Sequence, residues 1–355
     1  GGKGGGLVRI LCPSGRATID GVIRANGGIA NAHASGGGSG GGVHIACGTI
    51  AGNGRITADG GNGTGGGTYG GGGGGRVALA YNAAAAGTDI FFSLQGGTGS
   101  AVDTVGYPAD GNGEVGTLYL ADSSFFPEPV MGGCGRIVIP GLTAWAAPSL
   151  TITNGRVRFP DGCALTVTND TTLADGGALD LRNHAVLECG GNLLLTNRAA
   201  LHVYAGPTNE VAVDYGALVR VGGTLAVSPG CTAYLRSSPA DGGSPFLDVG
   251  HLFVATNGVI NAVGGGYPAQ GNGMPGLGPG AGQTAYSGNY GAGGGYGGRG
   301  GDATNGIYIA LGGGSYGSLR RPLAPGSGGG NDRGDGGGLI RILARPYKGA
   351  VVIDG

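Results

Sequence analysis

An all-β solenoid, in the form of a parallel β-helix, is the fold this sequence predicts, and three observations predict it. From Ala164 to Val227 short apolar segments begin at Ala164, Thr171, Ala178, Ala185, Asn192, Ala200, Glu210, Ala217 and Thr224, seven residues apart in most steps. Each is followed by a polar turn such as DGG, RN, CGG or TNR. Glycine supplies 90 of 355 residues, yet hydrophobic residues still make up 40%, and they are periodic. A helix needs apolar residues at i, i+3, i+4 and i+7 without glycine pairs between them, so the pattern is strand and turn. Glycine at this level without a strict every-third-residue period excludes collagen, and the apolar period argues against disorder.

A strand of four residues spans about 13 Å, and a turn after every strand forbids a wide flat sheet. If three strands close one circuit the period is roughly 21 residues, with successive circuits stacking their strands in parallel at about 4.8 Å. Alternation then turns Leu165, Val167, Leu179, Leu181, Leu193, Leu195, Leu201, Val203, Leu225 and Val227 into a narrow apolar core. Glycine and asparagine at the corners supply the positive-φ turns that branched residues cannot make.

Taken in order, the chain has three parts: a glycine-rich β-helical part (1–140), a regular seven-residue strand–turn part (141–263), and a second glycine-rich part with a closing coil (264–355). The N-terminal stretch opens on a strand, Leu7 to Leu11, followed by a second, Ala17 to Arg24. Its motif returns at the other end. Gly4, Gly5, Gly6, Leu7, Val8, Arg9, Ile10 and Leu11 match Gly336, Gly337, Gly338, Leu339, Ile340, Arg341, Ile342 and Leu343 at seven of eight positions. Ile19 and Asp20 then match Ile353 and Asp354. An ordinary internal repeat, a unit cut from a longer tandem chain, and end-to-end stacking of separate copies all produce such a match. The third reading makes these twenty residues an assembly interface, because similar end coils without a polar cap leave two open strand edges, and a heterologous contact that does not close generates a filament.

Residues 35–81, with GGGSGG, a short strand, GTIAGNGRITADGGNG, polyglycine and GGGGGGRVALAY, followed by GTLYL at Gly116 to Leu120, resemble the glycine-rich repeat of giant secreted proteins of environmental bacteria and some protists. These are similar to adhesins of the right-handed β-helix type. The resemblance covers residues 4–120 and returns at 264–355 with YGGRGG, PGSGGG and GGGLIRILA; residues 141–260 are poorer in glycine and depart from it. It implies a right-handed parallel β-helix and a surface or matrix protein, and it carries no catalytic residue.

Polyglycine at Gly65 to Gly75 and through 264–338 orders only if extended chains pack side by side through backbone hydrogen bonds, as in polyglycine-II-like bundles. Tyr69, Tyr267, Tyr286, Tyr290, Tyr296, Tyr308 and Tyr316 punctuate these blocks; ring cover for glycine backbone and stacking on surface glycans are the two readings of them. Arg333, Gly334 and Asp335 spell RGD, a chance event in so glycine-rich a chain.

Charge is sparse at 12% and nearly balanced at −1, which leaves no electrostatic case for nucleic acid or an anionic membrane. No apolar run of eighteen and no signal-peptide h-region occur, so the chain reads as a mature product or an excerpt without a membrane span. Cys12, Cys47, Cys134, Cys163, Cys189 and Cys231 show no CxxC spacing; they read as small apolar fillers or as disulfides between stacked coils. Cys189 and Cys231 are spaced to share an azimuth two coils apart.

The enzymatic rival is a polysaccharide lyase or glycosidase, which needs clustered acids. Glutamate occurs four times, most aspartates sit in turns, and Asp161, Asp175, Asp180 and Glu188 are the nearest thing to a cluster. His33, His44, His184, His202 and His251 form no metal-binding pattern. The expectation is therefore a non-enzymatic extracellular structural protein without cofactor or metal, whose partner is a second copy of itself. The rival reading is an adhesin repeat that binds surface glycans.

Overall fold

The computed structural model describes residues 1–31, 35–65, 69–100, 111–123, 130–208, 216–271, 273–285, 290–304, 306–331, 334–344 and 351–353. Among them the chain is all-β, without an α-helix, and its long sheets are parallel. A ten-stranded sheet runs β1 (Leu7–Thr18), β3 (Gly42–Ala51), β5 (Arg76–Ala84), β7 (Thr117–Leu120), β9 (Arg136–Val138), β12 (Arg156–Arg158), β15 (Ala178–Arg182), β18 (Ala200–Tyr204), β20 (Thr232–Arg236), β22 (Val259–Asn261). A second, eleven-stranded sheet has two columns: β10 (Ala144–Ala147), β13 (Ala164–Val167) and β16 (Val186–Cys189) in one, and β8 (Val130–Gly132), β11 (Leu150–Thr153), β14 (Thr171–Ala174) and β17 (Leu193–Leu195) in the other. The long strand β19 (Ala217–Val227) pairs with both β16 and β17 and so joins the columns. β21 (Pro245–Val254) pairs with β19, and β27 (Arg341–Ala344) and β28 (Val351–Ile353) pair with β21. A three-stranded parallel sheet holds β2 (Val22–Arg24), β4 (Arg55–Thr57) and β6 (Phe91–Ser93). Two short antiparallel pairs, β23 (Thr284–Ala285) with β24 (Tyr290–Gly291) and β25 (Ala303–Thr304) with β26 (Ile309–Ala310), lie in the second glycine-rich stretch.

Along the chain β12, β13 and β14 fall in three different columns, and β15, β16 and β17 return to the same three in the same order. The return takes 22 residues, as the corner bonds show: Asn183 Nδ2 donates to Asp161 Oδ2 at 2.6 Å and Asn197 Nδ2 to Asp175 Oδ1 at 3.0 Å. Three seven-residue segments and one extra corner residue make that period. Paired residues Asp175–Gly176, Asn183–His184 and Asn197–Arg198 all have positive φ, so the corner asparagines both turn the chain and bond to the preceding layer. In the first third the return is longer. Asn53 N–H donates to Asp20 Oδ1 across 33 residues and Thr98 N–H to Asn62 Oδ1 across 36, the added length being a glycine-rich segment.

The ten expected core residues, Leu165 through Val227, are all buried. They belong to one continuous apolar cluster that extends from Ala17 to Val254. Two details differ from the sequence reading. The first strand does not stop at Leu11 but continues to Thr18, with a register break between Cys12 and Arg16 that absorbs Pro13 and Gly15, and the second is only Val22–Arg24. Cys189 and Cys231 share no column, since Cys189 lies in β16 between Val167 and Val221, whereas Cys231 precedes β20 and its carbonyl accepts from Val259. The longer return at 32 residues between Asn192 and Thr224 shifts the spacing on which that alignment rested. The segment beginning at Glu210 lies outside the described residues.

Glycine-rich segments are ordered against these sheets. Gly38 N–H donates to Gly28 O, Gly61 to Gly38, Gly72 to Gly61, Gly97 to Gly72 and Gly113 to Gly97, at 2.8–3.0 Å. Other glycines of the same segments bond forward, Gly2 to Gly36 and Gly37 to Gly70, so neighbouring extended segments are bonded in more than one direction. A Cβ on Gly61 would lie 2.0 Å from Gly28 O, and one on Gly72 2.0 Å from Gly38 O, which is why no other residue fits. A second pack spans the 264–338 stretch, with Gly300 donating to Gly313, Gly313 to Gly293 and Gly282 to Gly328.

Candidate functional site

β1 is bonded on one side only, to β3, and among the described residues its other edge carries no strand. Its inward-facing Val8, Ile10 and Cys12 are half-buried, whereas Val43, Ile45 and Cys47, their neighbours one layer in, are buried. Leu7 and Leu11 point outward and are exposed, and Arg9 is exposed between them. Gly5 packs against Ala25 and Gly41, a side chain at Gly4 would touch Ser39, and Gly6 has open space where a side chain would be. Ile19 is buried, and Asp20 is an exposed corner residue that accepts the Asn53 amide.

The second copy of the motif closes the opposite end. β27 and β28 pair with β21, Ile342 opposite Leu247 and Ile353 opposite Val254, and no described strand covers their far side. Ile342 and Ala344 are half-buried against the core, and Ile340 and Leu343 are exposed. Leu339 N–H donates to Ser237 Oγ at 3.4 Å, and Arg341 lies 5.1 Å from the Phe246 ring centroid. Gly336 packs on Gly326 and Gly338 on Gly265, whereas Gly337 has open space. Asp354 lies outside the described residues.

The two motifs are alike in geometry as well as in sequence. β1 breaks register after Cys12 and resumes at Arg16; the C-terminal motif is strand to Ala344, the residue aligned with Cys12, and strand again from Val351, aligned with Ala17. β1 is bonded on the edge that faces the following strand, β27–β28 on the edge that faces the preceding one. One sequence motif is therefore seen using each of its two edges, and among the described residues each end leaves unpaired the edge that the other end uses. The motifs head different sheets, β1 the ten-stranded and β27–β28 the eleven-stranded one.

The four acids nearest to a cluster are kept apart. Asp161 accepts from Asn183 and from Arg158 Nη2 at 3.2 Å; burial works to raise its pKa, but these two donors outweigh it and hold the carboxyl below its ordinary value. Asp175 accepts from Asn197, and Glu188 pairs with Arg220 one layer on. Asp180 is 1% exposed and takes Arg156 Nε at 2.8 Å and Arg182 Nη2 at 3.4 Å. Burial acts against the charge of Arg156, and the Asp180 carboxylate more than offsets it. Each carboxylate accepts a hydrogen bond from, or pairs with a cation on, a neighbouring strand or corner, so the acids hold layers together. Sequence reasoning missed the cluster around Asp180: Arg182 lies 4.2 Å from the Tyr204 ring centroid, and His202 stacks on Tyr234 at 4.7 Å. Those residues come together only through the 22- and 32-residue returns. Among the described residues no three His, Cys, Asp or Glu side chains are grouped as metal ligands.

Tyr69, Tyr267, Tyr296 and Tyr316 lie over glycine. A Cβ would meet the Tyr69 ring at Gly63 and the Tyr267 ring at Gly278, both at 2.6 Å, and the Tyr316 ring at Gly280 at 2.9 Å. Tyr286 and Arg333 of the RGD triplet lie outside the described residues. No family model, curated protein or solved structure matches this chain.

Proposed function

We propose that the chain is a non-enzymatic extracellular structural protein, wound as a right-handed parallel β-helix with polyglycine-II-like flanks, and that copies assemble end to end into a filament or matrix fibre. The three-column strand order with its 22-residue return supports the winding. The observation that carries the assembly reading is the pair of matching terminal motifs with opposite edges free and with half-buried Val8, Ile10, Ile342 and Ala344 at the two open ends of one core. In this reading β27–β28 of one copy pair in parallel with β1 of the next, Ile342 beside Ile10 and Leu343 beside Leu11. The junction continues the eleven-stranded sheet of one copy into the ten-stranded sheet of the next, covers the exposed apolar ends, and leaves each added copy with the same free edge, so growth does not close.

The experiment is electron microscopy of the purified chain beside a variant lacking residues 1–21. Filaments with a constant axial repeat are expected for the full chain and none for the variant; undiminished filaments from the truncated chain refute the junction. The same terminal match favours a second reading, a repeat of one giant adhesin chain whose copies are joined covalently and bind surface glycans. Denaturing mass measurement of the native material separates the two, since subunits run near 34.1 kDa and a tandem chain runs far above it.

A further inference from the structure

Cys12 and Cys47 are direct partners in the parallel register of β1 and β3. Both belong to the inward-facing series, Val8–Ile10–Cys12 on the outer strand and Val43–Ile45–Cys47 on the inner one. Neighbouring strands run about 4.8 Å apart, inside the Cα separation of roughly 4.4–6.8 Å that a disulfide spans. The other four cysteines have no such partner in register: Cys189 lies between Val167 and Val221, and Cys134, Cys163 and Cys231 sit beside no cysteine in any paired strand. The ladder beyond Cys47 continues to Tyr81, so the thiols form an isolated pair.

Two features make the pair reactive as well as adjacent. The register between β1 and β3 breaks immediately after Cys12, at the free edge of the sheet, so the outer backbone is not pinned on both sides and can bring the sulfurs into bonding contact. Cys12 is half-buried and Cys47 buried, so an external disulfide reaches Cys12 first. Burial pushes the Cys47 thiol up from its ordinary pKa, and the neighbouring Cys12 adds to the shift, which suits Cys47 to act second.

We propose that Cys12 and Cys47 form a redox pair that closes to a disulfide and staples the first strand to the second. The Cys12 thiolate attacks one sulfur of a small-molecule disulfide, such as oxidised glutathione, and releases one molecule of its thiol. Cys47 gives up its proton to solvent and attacks the Cys12 sulfur of the mixed disulfide, releasing the second thiol. Two cysteine thiols are thereby oxidised to one disulfide, and the external disulfide is reduced to two thiols. The bond ties down a strand that is held by one neighbour only.

The test is to equilibrate the full chain with oxidised and reduced glutathione, alkylate the remaining thiols, and measure intact mass and linked peptides. The expected product carries four alkylated cysteines and one peptide pair joining Cys12 to Cys47. Six alkylated cysteines, glutathione retained on Cys12, or a different linkage overturns the proposal. In Cys47→Ser, Cys12 should instead retain glutathione, and failure to do so under the same conditions overturns the order of attack. Amide exchange over Leu7–Cys12 should slow by about 10-fold on oxidation of the wild-type chain, and unchanged exchange refutes the staple.

Discussion

At the residue scale, glycine here is required by close approach of backbone to backbone more than by turn conformation. A Cβ at Gly61 would meet the carbonyl of Gly28 at 2.0 Å, whereas Gly70, in the same pack, has open space. Gly61→Ala should therefore cost about 1–3 kcal/mol through overpacking, and Gly70→Ala should be nearly neutral; chemical denaturation of the two variants checks the contrast. The requirement was legible at Gly65 to Gly75 only as composition. Which glycines are confined depends on which segments become neighbours, and Gly28, Gly38, Gly61 and Gly72 are brought into one bonded series by returns that no local pattern encodes. The acids follow the same rule. Asp161 and Asp180 looked alike as turn or cluster residues, yet one is a corner acceptor for Asn183 and the other a buried counter-ion to two arginines.

At the element scale the strands were the most legible part of the chain. Alternation placed Leu201 and Val203 inward, and both are fully buried between the strands that carry Leu179 and Ala233. Leu201→Ala removes a fully buried side chain stacked between Leu179 and Ala233, in a close-packed core with little room to collapse around the gap. A loss of about 2–5 kcal/mol is expected, read as a lowered midpoint of thermal unfolding; a shift indistinguishable from that of the outward-facing His202→Ala would contradict it. Strand ends were less legible. Pro13 and Gly15 look like a stop after Leu11, but at a sheet edge a register break absorbs them and the strand resumes at Arg16.

At the scale of the whole molecule, the proposed filament makes the two ends unequal. A copy carrying Ile10→Asp places a charge in the half-buried core opening at the β1 end and leaves β27–β28 intact. Such a copy should not polymerise alone. Added to wild type in small proportion, it should join through its intact end and shorten filaments, measured as a length distribution by electron microscopy; lengths unaffected by the variant contradict the polarity of the junction.

The sequence by itself determined the strand period, the inward set of residues, the turn residues and the likeness of Leu7–Leu11 to Leu339–Leu343, because each of these depends on the chemistry of a few adjacent residues or on direct comparison of two short stretches. Only the tertiary structure decided that the two like motifs head different sheets and leave opposite edges free, that Cys12 faces Cys47, and that Asp180 lies between Arg156 and Arg182. Those facts depend on how many residues each return takes: 22 in the middle of the chain, 28 between Arg236 and Gly264, 32 between Asn192 and Thr224, 36 between Asn62 and Thr98 and 41 between Tyr81 and Asp122. A slip of one residue in the pairing of any strand would turn its inward side chains outward, so the returns must deliver each strand in register, and it is their length that decides which distant residues meet.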